Sequence, residues 1–159
     1  MKYLFFLFLV VLGAKTNAQP KQGAKAFEIA LPGLKGDTVK LSALKGKVVL
    51  LDFWASWCKP CRASNKELVK IYAKFKNKGF EIFAVSLDEE KAAWEKAVAT
   101  DKITWIQVND MGGFDAKIAQ QWDLFAIPTS FLIDKDGTLI AMDLTGKQLE
   151  KALKSLIDK

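Results

Sequence analysis

Two cysteines stand three positions apart, Cys58 and Cys61, with Lys59 and Pro60 between them. Such a pair can be half of a metal site, a fixed cross-link, or a dithiol that opens and closes. Structural zinc takes four Cys or His ligands, whereas this chain has two cysteines and no histidine. A cross-link over so short a loop removes little entropy from the unfolded chain. A chain of 159 residues also buries about two-thirds of its unfolded surface without one. The spacing therefore favours thiol–disulfide exchange, in which a thiolate attacks a disulfide sulfur and a neighbouring thiol resolves the product. The lack of histidine closes Ser-His-Asp and Cys-His catalysis and imidazole proton shuttling.

Position sharpens this reading. Val48 to Phe53 is a run rich in β-formers and reads as a strand buried on both faces. From about Lys59 to Lys76, Leu68, Ile71, Tyr72 and Phe75 recur at helical spacing, and Gly79 closes the stretch. Cys58 falls where strand gives way to helix. A thiol there faces unpaired backbone N–H groups and the positive end of the helix dipole, which favour thiolate. Cys58 is the expected nucleophile, and Cys61 the resolving thiol one turn on. Pro60 suits a helix start, where its missing N–H costs little. Lys59 and Arg62 add positive charge nearby, or are simply solvated.

The elements around the pair follow from pattern. Phe27–Leu31 and Thr38–Leu41 read as a small hairpin around Gly33 and Gly36-Asp37, with a helical turn over residues 42–46. Phe80–Leu87 reads as a second buried strand, so strand, helix and strand imply parallel pairing. Residues 89–101 read as a helix carrying Trp94, Ala97 and Val98, and Thr104–Val108 as a short strand. A short helix is expected over 114–122, with Ile118 and Trp122. Thr129–Ile133 and Thr138–Met142 flank an Asp136-Gly137 turn and read as a hairpin. Lys147–Ile157 places Leu149, Leu153 and Leu156 on one stripe of a last helix. The reading is one α/β domain over residues 24–158, without repeats, behind a flexible segment 19–23.

The chain begins differently. Lys2 precedes an apolar run from Tyr3 to Leu12, then Thr16-Asn17-Ala18. A basic start, a short apolar stretch and small residues before a cut are the pattern of a secretory signal peptide, here 1–18. The run holds about ten residues, against roughly 20 for a spanning helix, so a membrane anchor is the lesser alternative. Membrane contact is expected only through this leader if it is uncleaved. The formal charge is +6, and losing Lys2 and Lys15 with the leader leaves +4. The basic residues are scattered, so no nucleic-acid partner is expected. An exported chain with two thiols usually pairs them.

Phe53-Trp54-Ala55-Ser56-Trp57-Cys58-Lys59-Pro60-Cys61-Arg62 resembles the active-site segment of the thioredoxin superfamily. Ala126-Ile127-Pro128-Thr129-Ser130-Phe131 resembles that family's cis-proline loop and the strand after it. The similarity is closest to exported TlpA/ResA-like thiol–disulfide oxidoreductases, which carry an αβ insertion where residues 88–111 stand. The resemblance implies a thioredoxin-like fold, a central mixed β-sheet flanked by helices, with an N-terminal hairpin and that insertion. It implies a redox-active Cys58–Cys61 disulfide and a cis bond before Pro128, whose backbone would pair with an extended substrate segment. Asp52 aligns with the family's buried acid and would move a proton to or from Cys61, its pKa raised by burial. Trp57, Phe125, Pro60 and Ile127 would meet the partner. Trp54 is lip or core, whereas Trp94, Trp105 and Trp122 belong in the core. The branch often carries a glutamate three residues past its second cysteine. Ser64 stands there in this chain, which throws more of any acid role onto Asp52.

The resemblance implies an exported disulfide reductase acting on disulfide-containing exported proteins. A membrane thiol donor would recharge it, as a monomer, with no metal or other cofactor. The same site in an oxidase or isomerase is the alternative. A peroxidase is less favoured, because neither the proline nor the threonine of the peroxiredoxin P-x-x-x-T-x-x-C setting precedes Cys58. A non-catalytic module that holds extended peptides is the alternative of another class.

Overall fold

The computed structural model describes residues 20–158. The leader and residue 19 lie outside them. Residues 20–26 run beside the C-terminal hairpin. The N–H of Gly23 donates to the carbonyl of Leu139 at 2.8 Å, and that of Ala26 to Gly137 at 2.9 Å.

Strands β1 (Ala30–Pro32) and β2 (Thr38–Lys40) pair antiparallel, followed by a 3-10 turn over Leu41–Leu44. Strand β3 (Val48–Trp54) is buried at every position, and helix α1 (Lys59–Phe75) follows it. A 3-10 turn, Lys76–Lys78, then leads to Gly79. Its φ of 90° is left-handed, a conformation that glycine adopts at no steric cost. Strand β4 (Phe80–Ser86) runs parallel to β3 in register from Val48 with Phe80 to Trp54 with Ser86. The inserted unit is helix α2 (Lys91–Thr100) and strand β5 (Ile106–Asn109), which lies parallel on the far side of β4.

Residues 114–122 do not form one helix. A 3-10 turn at Gly113–Asp115 is separated from α3 (Lys117–Gln121) by Ala116 in an extended conformation. The cause is close packing: a Cβ on Gly112 would lie 2.8 Å from the Ala116 Cα, and Gly113 holds φ at 58°. Strands β6 (Thr129–Ile133) and β7 (Leu139–Met142) form the hairpin, closed by Gly137 N–H to the Asp134 carbonyl at 2.9 Å. Helix α4 (Gly146–Ile157) ends the fold.

The sheet order is β5-β4-β3-β6-β7, with β6 antiparallel to both its neighbours and the other four strands running the same way, so the sheet is mixed. Helices α1 and α4 pack together on one face, where Lys74 and Glu150 pair at 2.5 Å. Asn65 of α1 reaches Asp101 at the end of α2, which puts α2 beside α1. Successive strand residues face opposite ways, so Phe53 points away from Asp52. Phe53 meets Trp122 and Phe131 at ring separations of 5.7 and 6.1 Å, with Phe27 covering Trp122 at 5.7 Å. Trp54 is core: its indole N–H donates to the Gln107 side-chain oxygen at 3.1 Å, which also faces the indole of Trp94. Trp105 and Trp122 are buried as well.

Candidate active site

Helix α1 starts at the point where β3 leaves the sheet, and Cys58 is its N-cap residue. In that position the side chain accepts a hydrogen bond from the Cys61 N–H at 3.2 Å. The Arg62 N–H reaches the Cys58 carbonyl at 3.0 Å, and Pro60 occupies the first turn. A sulfur that receives an amide hydrogen at the N-terminus of a 17-residue helix meets the positive end of the helix dipole, a setting that favours thiolate over thiol once the disulfide opens. The structure holds Cys58 and Cys61 as a disulfide, with Cα atoms 5.3 Å apart. Cys61 is the more deeply buried of the two. That asymmetry suits an outer thiol that attacks and an inner thiol that resolves.

The Ile127–Pro128 peptide bond is cis, immediately before β6. Trp57 and Phe125 are exposed over 57% and 84% of their surface. Phe114, from the turn before α3, is 40% exposed and meets the Trp57 ring at 6.3 Å. Sequence reading passed over Phe114 because it sits in a stretch read as one helix. The clue available was an aromatic side chain directly after Gly112-Gly113, where a helix of that length is hard to sustain.

Asp52 lies in the middle of the sheet, 6% exposed, on the face that carries α1 and α4. Burial, and then the like charge of Asp143, push its pKa up to about 7. Asp52 and Pro128 share a cavity of about 80 Å³ with Ser64, Glu67, Leu68 and Asp143. A space of this size holds water, which needs on the order of 10–15 Å³. Asp143 is itself fixed: its Oδ1 accepts the Ser130 N–H at 2.8 Å.

Arg62 is neither free nor merely solvated. It forks onto the Asp101 carboxylate and donates through Nη1 to the Ser56 carbonyl at 3.1 Å. The hydrogen bond to Asp101 holds the guanidinium above its ordinary pKa. Burial works against the Asp101 charge, yet hydrogen bonds from Arg62 and Asn65 hold its pKa below the usual value. Behind Ser56 lies Asp88, 1% exposed, which sequence reading also missed. Its carboxylate accepts the Ser56 N–H at 2.9 Å, the Ser56 hydroxyl at 2.5 Å and the Ser86 hydroxyl at 2.7 Å.

Comparison with known proteins agrees with this geometry. The AhpC/TSA family profile matches residues 22–142. The thiol-disulfide oxidoreductase ResA of Bacillus thuringiensis subsp. konkukian is 35% identical over 137 residues, 86% of this chain and 77% of its own. ResA of Bacillus subtilis is 32% identical over 132 residues, 83% of this chain and 72% of its own. The thioredoxin domain of a thiol-disulfide oxidoreductase from Bacteroides vulgatus superposes with a TM-score of 0.79 at 36% identity, covering 86% of this chain and 98% of that one. The chain belongs to the AhpC/TSA family and is, with its ResA relatives, a thiol–disulfide oxidoreductase.

Proposed function

We propose that this protein is exported and reduces disulfides in extracytoplasmic proteins. The observation that carries the reading is Cys58 at the N-cap of α1, its sulfur receiving the Cys61 N–H, at the rim of an exposed aromatic surface. The Cys58 thiolate attacks one sulfur of a substrate disulfide, and the other leaves as a thiolate that takes up a proton. Cys61 loses its proton and attacks Cys58, which closes the Cys58–Cys61 disulfide and frees the second substrate thiol. Asp52 exchanges that proton with Cys61, and water in the cavity beside it relays it outward. A carboxyl poised near pH 7 can both take and return a proton in neutral solution.

The substrate lies extended along the backbone at Ile127-Pro128, in the loop before β6, and pairs with it. Trp57, Phe125, Phe114 and the ring of Pro60 supply apolar contact around the sulfurs. The pattern of residues 1–18 supports export, and a membrane thiol donor recharges the disulfide. The protein works as a monomer.

An equilibrium titration in glutathione or dithiothreitol, read by Trp57 fluorescence, tests the direction. A midpoint below about −220 mV supports a reductase, whereas one between about −180 and −120 mV turns the assignment to oxidase or isomerase. The Cys58→Ser, Cys61→Ser double variant separates catalysis from peptide holding: it loses all insulin reduction if the protein is an oxidoreductase in this sense.

A further inference from the structure

Ser56 is gripped from two sides, directly by Asp88 of the αβ insertion and by Arg62 of α1, which Asp101 of the insertion holds. On one side stand the two Asp88 contacts to its N–H and hydroxyl. Asp88 is held in turn by Ser86, and the Asn109 amide donates to the Ser86 hydroxyl at 3.1 Å and to the Asp88 carbonyl at 3.0 Å. The Asn109 side-chain oxygen accepts the Met111 N–H at 2.5 Å, so one buried network ends the strands β4 and β5 and starts the turn that carries Phe114. On the other side, the Ser56 carbonyl takes Arg62, and Arg62 is clamped by Asp101 at the C-terminus of α2. Asn65 adds a third bond to Asp101 at 3.1 Å. Asp88 opens the insertion, and Asp101 ends its helix.

We propose that Asp88 and the Arg62–Asp101 pair are positioning residues of the dithiol. They fix the Ser56 peptide two residues before Cys58, and their opposed charges set how readily the Cys58 thiolate forms. Reduction breaks the Cys58–Cys61 bond with two electrons from a dithiol or two glutathiones, which become a disulfide; it leaves Cys58 as thiolate, puts one proton on Cys61 and releases the other to solvent. The negative charge of Asp88 opposes that thiolate and favours the disulfide. The positive charge of Arg62 favours the thiolate, and Asp101 partly cancels it. Other charges near this loop are Lys59, beside Cys58 in the chain, and Lys66, which acts on Asp101. The insertion thus acts on the redox couple without touching substrate. Asp88 reaches the loop through Ser56 directly, and Asp101 reaches it through Arg62.

The test compares the glutathione equilibrium of the wild-type protein with Asp88→Asn and Arg62→Gln at one pH, with thermal melting measured alongside. Asp88→Asn is expected to move the equilibrium toward dithiol, and Arg62→Gln toward disulfide, each by about threefold to tenfold. A role in holding the fold alone would lower both melting temperatures and leave the two equilibria within twofold of wild type. That result, or shifts in the same direction, overturns the proposal. If Asp88→Asn does not fold, Arg62→Gln decides alone: an unchanged equilibrium or a shift toward dithiol overturns it. The reading is relative to wild type, so a wild-type midpoint in the oxidase range would sink the reductase assignment and leave this inference standing.

Discussion

Two buried aspartates flank the active-site loop, and the protein treats them in opposite ways. Asp88 lies at the exit of β4, and three donors from Ser56 and Ser86 converge on it. Asp52 lies within β3 and, among the described residues, no donor stabilises its carboxylate; only burial and the like charge of Asp143 act on it. A buried carboxylate ringed by donors is a structural bracket, because each bond replaces one lost from water. One left without donors favours the protonated form and becomes a proton store. Burial by itself therefore does not say what an acid does. The number of donors aimed at it does.

The difference can be broken from either side. Asp88→Ala strands two hydroxyls and an amide and should cost about 3–5 kcal/mol at pH 7, read by denaturant unfolding. A loss under 1 kcal/mol would show that water takes the carboxylate's place and that the bracket is not needed.

Asp52→Asn should do the reverse. The folded protein holds its proton up to about pH 7, while an unfolded aspartate releases it near pH 4, so the folded state binds more protons between those values. Wild-type stability therefore falls as pH rises from 4 to 7, by about 1.4 kcal/mol per pH unit, and levels off above. The asparagine variant lacks this loss, so it should be the more stable at pH 8 and no better near pH 4. It should also resolve mixed disulfides about 10²-fold more slowly, as expected for removal of a general acid–base group. Equal pH–stability curves for the two proteins would end the proton-store reading.

Asp143→Asn sharpens the comparison by a smaller amount. It removes the second cause of the Asp52 shift and should lower that pKa by less than the effect of burial. An NMR titration of the labelled Asp52 carboxyl would reveal it, and a pKa that stays near 7 would leave burial as the whole cause.

On the surface, Phe114→Ala should raise KM for a protein disulfide severalfold, by about 0.5–1.5 kcal/mol of lost aromatic contact. It should leave reduction of a small disulfide such as hydroxyethyl disulfide unchanged, and an equal effect on both would remove Phe114 from the docking surface.

Much of this was legible in the chain. The β-rich run Val48–Phe53, the stripe of α1 and the Asp136-Gly137 turn each carry a local signal, so strand, helix and hairpin followed from pattern and turn residues. The broken helix near 114–122 did not, because the close approach of Gly112 to Ala116 depends on packing that periodicity cannot register. Arg62 and Asp101 lie 39 positions apart, and Ser56 and Asp88 lie 32 apart. Nothing local ties such pairs together.

The sequence by itself determined the chemistry: two cysteines at this spacing, no histidine, and a strand feeding a helix leave a dithiol at a helix N-terminus, since backbone polarity at that terminus is a local property. The tertiary structure alone decided the environment of each acid. Which donors reach Asp88, and which are withheld from Asp52, is fixed by parallel strands that bring β4, β5 and the end of α2 to one loop. Hydrogen bonds act over about 3 Å, so only the folded chain can say which carboxylate has them.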